Sequence, residues 1–105
     1  MEVWRVVISN DNYLVSNLGR IKHKKKKKAL VPIYDKDGYQ TVKLYRNGKY
    51  KTVKVHRIVA FEFCKGYDET KEVDHINRIR NDNRAVNLQW LTHAQNNARK
   101  AEYGK

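Results

Sequence analysis

The sequence has a single cysteine, Cys64, a single proline and five glycines in 105 residues. One thiol can form no internal disulfide and no cysteine-based zinc site, and we expect it to be a small buried side chain. No apolar run approaches the roughly 18 residues of a membrane-spanning helix. The charged N-terminal stretch does not resemble a signal peptide, which predicts an intracellular, reducing location.

Acidic residues are scarce, at 11 against 23 lysines and arginines, which gives a net charge of +12. Self-repulsion at that charge favours a polyanionic partner, and nucleic acid fits best because each paired phosphate releases counterions. A membrane surface is the competing partner, but no basic amphipathic helix dominates the sequence. A protein that is merely soluble and basic is the simpler alternative. We predict neither a membrane nor a small-molecule substrate as partner.

The first 52 residues predict a strand-rich lobe. Strands are expected over residues 4–8 and 13–16, and a third begins after the turn residues 17–19. The five lysines at 24–28 repel one another and predict a mobile solvated loop. The same loop could also contact phosphates, and the sequence favours neither role.

Residues 39–55 predict a β-hairpin around Asn47-Gly48, a pair typical of a two-residue type I′ turn. The turn fixes the register, which pairs Arg46 with Lys49, Tyr45 with Tyr50, Lys43 with Thr52, and Val42 with Val53. The face expected to join the core carries Val42, Leu44, Val53 and Val55. The face expected to be exposed carries Thr41, Lys43, Tyr45, Tyr50, Thr52 and Lys54. That second face would suit a nucleic-acid backbone, although an ordinary solvated strand face explains it as well.

Residues 53–105 predict a second lobe that alternates helices with two short strands. A Thr-x-x-Gln capping box at Thr92 and Gln95 marks the start of its last helix. The expected elements are a helix over 55–64, a strand over 72–76, a polar loop over 77–86, a strand over 88–91 and a helix over 92–101.

Four polar residues of this lobe form the pattern that points to chemistry: Asp74, His75, Asn87 and Asn96. If the last helix folds back on the two strands, Asp74 and Asn96 face each other. Their oxygens are hard ligands, which suit Mg²⁺ or Mn²⁺ better than zinc. A neutral imidazole such as His75 can take a proton from an attacking water near neutral pH. Taken singly, each residue could instead be a loop cap, a surface position or a structural histidine.

The segments VHRIVAFEF and VDHINRIRNDNRAVNLQWLTHAQNN resemble the HNH endonuclease motif in its phage homing-endonuclease version, over residues 53–99. The segments EVWRVV and YLVSNLGRI are similar to the DNA-binding module that often precedes it. The resemblance implies an α+β fold, with the strand-rich lobe followed by a ββα-metal nuclease core. It also implies that Asp74 and Asn96 are metal ligands, that His75 is the general base and that Asn87 orients the base.

The resulting hypothesis is a metal-dependent endonuclease that hydrolyses duplex DNA, in the cytoplasm of a phage-infected or bacterial cell. One site per chain predicts nicking by a monomer or a weak dimer. The residues expected to contact DNA are Arg57, Arg78, Arg80, Arg84, Lys43 and Lys54. A non-catalytic DNA-binding protein of the same architecture is the main alternative. A small basic RNA-binding protein would explain the charge, but it gives no reason for the four-residue pattern.

Overall fold

The computed structural model describes residues 1–103, which form short strands and two α helices. This confirms the predicted α+β class. The strands of the first half are β1 (Trp4–Val6), β2 (Tyr13–Ser16), β3 (Ile21–His23), β4 (Ile33–Tyr34), β5 (Gln40–Arg46) and β6 (Lys49–Lys54). The second half comprises α1 (Val55–Phe63), β7 (Glu72–His75), a 3₁₀ turn (Ala85–Asn87), β8 (Leu88–Leu91) and α2 (His93–Tyr103).

The strands form three antiparallel sheets, ordered β1-β2-β3, β4-β5-β6 and β7-β8. Helix α1 follows β6 without a loop and packs against strands of all three sheets. It therefore connects the β7-β8 hairpin to the strand-rich half. Among residues 1–103, the longer helix has 11 residues, and no helix is long and apolar enough to cross a bilayer.

The β5-β6 hairpin has the predicted register, with all four predicted pairs among those formed. Its turn residues Asn47 and Gly48 both have positive φ, at 54° and 77°. A type I′ turn requires positive φ at both central positions, which asparagine and glycine adopt most readily. The local sequence therefore determines this hairpin by itself.

The prediction that Thr41 lies on the exposed face of this hairpin is wrong. Its side chain is buried, and its hydroxyl donates to the carbonyl oxygen of Ile33 at 2.9 Å. The cause is strand β4, which pairs with the start of β5 and was not predicted. A two-residue strand carries too little hydrophobic periodicity to be found from sequence. Tyr45 and Tyr50, farther along the same face, are exposed as expected.

One continuous hydrophobic cluster joins the two halves of the chain. Val59 of α1 is fully buried at its centre, and the indole Nε1 of Trp90 donates to the Ala60 carbonyl oxygen at 3.3 Å. Cys64 is half-buried beside this cluster and faces the carbonyl oxygens of Ala85 and Leu88. Burial raises the pKa of its thiol, as expected for a packing residue. The buried apolar members are Val7, Tyr13, Val15, Ile21, Val42, Leu44, Val55, Val59, Ala60, Leu88 and Trp90.

The capping box at the start of α2 is confirmed. The Gln95 amide N–H donates to the Thr92 hydroxyl at 3.1 Å, and the Thr92 N–H donates to the Gln95 side chain at 2.9 Å. The helix continues two residues beyond the predicted Ala101, whereas β1 ends before the predicted Ile8. The division into lobes at residue 52 stays a prediction, since the hydrophobic cluster crosses it.

Candidate active site

The end of β7 and the first turns of α2 enclose the candidate site. Asp74, His75 and Asn96 are 3%, 6% and 7% exposed, and all three line one cavity of about 370 Å³. Successive strand residues normally point to opposite faces, but His75 is the last residue of the strand. The chain turns immediately after it, with Arg78 at a φ of 68°. The cavity is also lined by Tyr39, Val73, Arg78, Arg80 and Lys100.

The amide of Asn96 is held in one orientation. Its Nδ2 donates to Glu72 Oε1 at 2.6 Å, and this contact, followed by that of His93, lowers the pKa of the Glu72 carboxyl. An ionised carboxylate only accepts hydrogen bonds, so the amide nitrogen must face Glu72. The amide oxygen, Oδ1, is buried and has no hydrogen-bond partner. A buried acceptor without a partner costs free energy, so a ligand for this oxygen is expected.

The carboxylate of Asp74 is surrounded by donors from three elements. Arg99 of α2 lies 3.0 Å from Oδ2, and Arg78 lies 3.5 Å from Oδ1. Gln89, which is directly opposite in the β7-β8 pair, donates to Oδ2 at 2.9 Å. Only 2% of the Asp74 side chain is exposed, so these groups offset the cost of burying a charge.

Asp74 and Asn96 fit a hard divalent cation. One contributes a buried carboxylate and the other a buried amide oxygen without a partner, and both border the same cavity. Oxygen donors of these types suit Mg²⁺ or Mn²⁺, which keep several waters and take few ligands from protein. Both residues were selected from sequence for this role, and their assignment as ligands stays a prediction.

The ring of His75 is held on one edge by Asn83, whose Oδ1 lies 2.8 Å from Nε2. Two other rings pack against the imidazole. The ring centroid of His56 lies 5.1 Å away and that of Tyr39 lies 5.8 Å away. The orientation of the imidazole is thereby restricted by three side chains, Asn83, His56 and Tyr39, and none of them was among the predicted site residues.

His56 is a buried neutral group beside the proposed base. Burial, with the neighbouring His75 as the next cause, lowers the pKa of His56 from 6.5 to about 3. Its Nδ1 is buried without a hydrogen-bond partner. A positive charge on His56 is therefore disfavoured over a wide pH range.

Asn87 acts on the loop between β7 and β8. Its Oδ1 accepts from the Asn77 N–H at 2.9 Å, and its Nδ2 donates to Asn77 Oδ1 at 2.9 Å and to the Asp82 carbonyl oxygen at 2.8 Å. These contacts fix the two ends of the loop that follows His75. The role of Asn87 in orienting the base stays a prediction, and the direct contact with the ring comes from Asn83.

The predicted DNA-binding residues divide by position. Arg78 and Arg80 line the cavity, and Arg80 also packs over the ring of Tyr39 and donates to the Asp37 carbonyl oxygen. Lys54 lies on the same tyrosine ring, 5.1 Å from its centroid. These three cations form a basic rim next to His75.

The other three predicted DNA contacts lie farther from the cavity. Arg84 makes a two-point ion pair with Asp82, which holds its guanidinium within the loop. Arg57 is exposed and lines a different, apolar cavity. Lys43 is exposed on the β5-β6 hairpin, over the ring of Tyr50.

Several residues of the site were missed by sequence reasoning because their partners are distant in the chain. They are Tyr39, His56, Glu72, Asn83, Gln89 and Arg99. Glu72 precedes Asp74 by two positions, so a strand alternation would have placed both on one face. Arg99 follows Asn96 by three positions on α2, a spacing that also shares a face.

Comparisons with known proteins show which families and structures this chain is similar to. The family described as HNH endonuclease matches residues 53–98, and the NUMOD4 motif matches residues 2–45. Residues 53–98 therefore form an HNH endonuclease domain. It is 42% identical over 81 residues to DNA endonuclease I-HmuI of Bacillus phage SP01, which covers 77% of this chain and 47% of I-HmuI. It is 35% identical over 88 residues to an uncharacterized HNH endonuclease of Acanthamoeba polyphaga mimivirus, covering 84% of this chain and 27% of that protein.

A solved structure shares the fold of this HNH chain. The structure described as DNA binding and cleavage by the HNH homing endonuclease I-HmuI superposes with a TM-score of 0.91 at 37% identity. The match covers 97% of this chain and 59% of that one. The chain thus spans about half the length of I-HmuI and about a quarter of the mimivirus relative. HNH endonucleases generally depend on a divalent metal.

Proposed function

We propose that this chain is a divalent-metal-dependent endonuclease that nicks one strand of duplex DNA. The observation that carries the proposal is the meeting of Asp74, His75 and Asn96 beside one cavity, with arginines on its rim. The relative I-HmuI is described as binding and cleaving DNA, and the structural match to it covers 97% of this chain and 59% of that one. The charge of +12 supports a polyanionic substrate.

The proposed roles follow from the chemistry of each group. Asp74 and Asn96 would hold the metal through Oδ atoms. When bound, Mg²⁺ or Mn²⁺ would stabilise the negative charge that develops on the phosphate and on the leaving oxygen. His75 would take a proton from the attacking water, whose oxygen bonds to phosphorus as the bond to the 3′ oxygen breaks. The products would be a 5′-phosphate and a 3′-hydroxyl.

The arginines would position the substrate. Arg78 and Arg80 border the cavity, so phosphates of the strand being cut would pair with them. Lys54 would extend this contact toward β6, and Lys43 would contact the duplex farther along the hairpin. One site per chain supports nicking by a monomer, acting in the cytoplasm where phage or bacterial DNA is found.

Cleavage of supercoiled plasmid tests the proposal. We expect the wild-type chain to convert plasmid to open circle with Mg²⁺ or Mn²⁺ and to be inactive in EDTA. His75→Ala should lower the nicking rate by about 100-fold to 10,000-fold, which is the usual contribution of a general base. His23→Ala is the matched control, because His23 lies on β3 and does not line the cavity. Intact plasmid in every lane, with DNA binding retained, would indicate a non-catalytic DNA-binding protein. Equal nicking rates for His75→Ala and the wild type would show that His75 is not the general base.

A further inference from the structure

Asn83 is buried although it belongs to the polar loop that follows β7. It is 3% exposed, whereas its neighbours Asn81 and Arg84 are exposed. Its side chain lies between two partners, with Oδ1 2.8 Å from His75 Nε2 and Nδ2 3.0 Å from Gln40 Oε1. Both ends of this buried amide are therefore hydrogen-bonded, as is usual for a buried polar side chain.

The contact with Gln40 sets which end of the Asn83 amide faces the imidazole. Nδ2 donates to Gln40, so the carbonyl oxygen Oδ1 faces His75 Nε2. A carbonyl oxygen only accepts hydrogen bonds, so Nε2 of the neutral ring must carry the proton. The lone pair is then on Nδ1, which becomes the nitrogen able to accept a proton from water.

The strand-rich half fixes Gln40 and Asn83 in turn. Gln40, the first residue of β5, donates through Nε2 to the hydroxyl of Tyr34 at 3.2 Å. Gly19 packs so closely that a Cβ atom there would lie 2.9 Å from the backbone carbon and oxygen of Asn83. The Ala85 N–H also donates to the Asn17 carbonyl oxygen at 2.8 Å. Two separate segments of the first half therefore contact the loop that holds the proposed base.

We propose that Asn83, oriented by Gln40, is a positioning residue that sets the tautomer and direction of His75. The strand-rich half would then complete the catalytic site in addition to binding DNA. The inference rests on the proposed function in taking His75 as the base. It assigns the proton-accepting role to Nδ1 of that residue and makes the first half necessary for the rate of the chemical step.

The first test reads the tautomer without any cleavage. Long-range ¹H–¹⁵N correlation spectra of the full chain at mildly alkaline pH report which ring nitrogen of each histidine carries the proton. We expect the proton of His75 on Nε2 in the wild type. Asn83→Ala should give a mixture of tautomers, whereas Asn83→Asp, which keeps an acceptor oxygen, should retain the Nε2–H form. Val86→Ala is the control in the same connection between β7 and β8, because its side chain is 80% exposed.

The second test separates positioning from DNA binding. Asn83→Ala should lower the nicking rate at saturating plasmid by about 10-fold to 100-fold, as loss of a group that orients a catalytic histidine does. Its DNA affinity should stay within about 2-fold of wild type, since no phosphate contact is removed. Asn83→Asp should recover much of the rate. Gln40→Ala, which frees the Asn83 amide to turn over, should give an intermediate rate, and the control Val86→Ala should match the wild type.

A proton on Nδ1 of His75 in the wild type would overturn the inference, as would an unchanged tautomer and rate in Asn83→Ala. If Asn83→Ala does not fold, the Asn83→Asp and Gln40→Ala variants test the inference instead. An Nδ1–H form in Asn83→Asp, or a wild-type rate and tautomer in Gln40→Ala, would overturn it. A His75→Ala variant that nicks like wild type would refute His75 as the base. The tautomer measurement would still show whether Asn83 orients the ring.

Discussion

The two halves of this chain bury polar side chains for different purposes. In β1 to β6 the buried polar residues are Asn10, Ser16 and Thr41, and each hydrogen-bonds to backbone of that same half. From α1 onward the buried polar residues are more numerous, and several contact one another's side chains. They are His56, Asp74, His75, Asn83, Asn87 and Asn96.

The difference supports the proposal that the second half carries the chemistry. Polar side chains that hydrogen-bond to the backbone of turns and strand ends stabilise the local structure, and a folded lobe needs few of them. A cluster of buried ionisable and amide groups beside a cavity costs free energy, and a protein keeps one where function requires it. The unpartnered oxygen of Asn96 is the clearest case, since stability alone would favour satisfying it. The predictions below test this contrast.

The largest expected effect is on the metal requirement. Asn96→Ala should raise the Mg²⁺ concentration for half-maximal nicking by about 100-fold, because a ligand oxygen is lost. Asn97→Ala is the matched control, since the adjacent asparagine is exposed on the same helix. Nicking of supercoiled plasmid over a Mg²⁺ titration measures both. Equal titration curves for Asn96→Ala and Asn97→Ala would show that Asn96 is not a metal ligand.

A second comparison replaces one buried asparagine in each half. Asn87→Ala and Asn10→Ala should each lower the free energy of unfolding by about 2 kcal/mol, because both leave buried partners unsatisfied. At a temperature where both variants are folded, Asn87→Ala should also slow nicking by about 10-fold. Asn10→Ala should nick at the wild-type rate. Urea unfolding and plasmid nicking check the pair, and a slow Asn10→Ala variant would contradict the division of roles.

The third prediction concerns acid stability. The unfolded chain binds a proton on His56 below about pH 6.5, whereas burial lowers the pKa of this group to about 3 in the folded chain. The free energy of unfolding should therefore fall as the pH drops through this window, by up to about 1.4 kcal/mol per pH unit.

The matching variant is His56→Phe, which should reduce this slope. It should be no less stable near neutral pH, because the His56 Nδ1 it removes is buried without a partner. Urea unfolding at several pH values measures both chains. Parallel slopes for the wild type and His56→Phe would show that His56 is not the group responsible.

The smallest expected effect lies on the exposed hairpin of the first half. Lys43→Ala should reduce by about 1 the slope of log binding constant against log salt concentration, because one phosphate contact is lost. The nicking rate at saturating DNA should not change. Lys51→Ala is a suitable control, as it lies opposite Leu44 on the other face of the hairpin. Gel shifts over a salt series measure the slopes, and equal slopes would exclude the hairpin face as a DNA contact.

Local sequence was sufficient for elements with strong short-range signals. Asn47-Gly48 determined a hairpin and its register, and Thr92 with Gln95 determined where α2 begins. The spacing of Asp74, His75 and Asn96, with the resemblance to HNH endonucleases, gave the three residues that meet at the cavity. These signals succeed because the interacting residues are near in the chain, or because the motif itself specifies the chemistry.

Only the tertiary structure decided which distant residues complete the site. Asn83 contacts Gln40 across 43 positions, and β4 buries Thr41 through a pairing of two residues. The turn after His75 has a positive φ at Arg78. Because this residue is not a glycine, the local sequence does not predict that conformation. Such contacts depend on how the β7-β8 loop packs on the turn at Gly19 and the start of β5. This packing produces no periodic pattern in the local sequence, so it could not be predicted from it. The sequence alone therefore determined the main elements and gave the residues of the proposed chemistry, whereas packing between the halves decided how the proposed base is held.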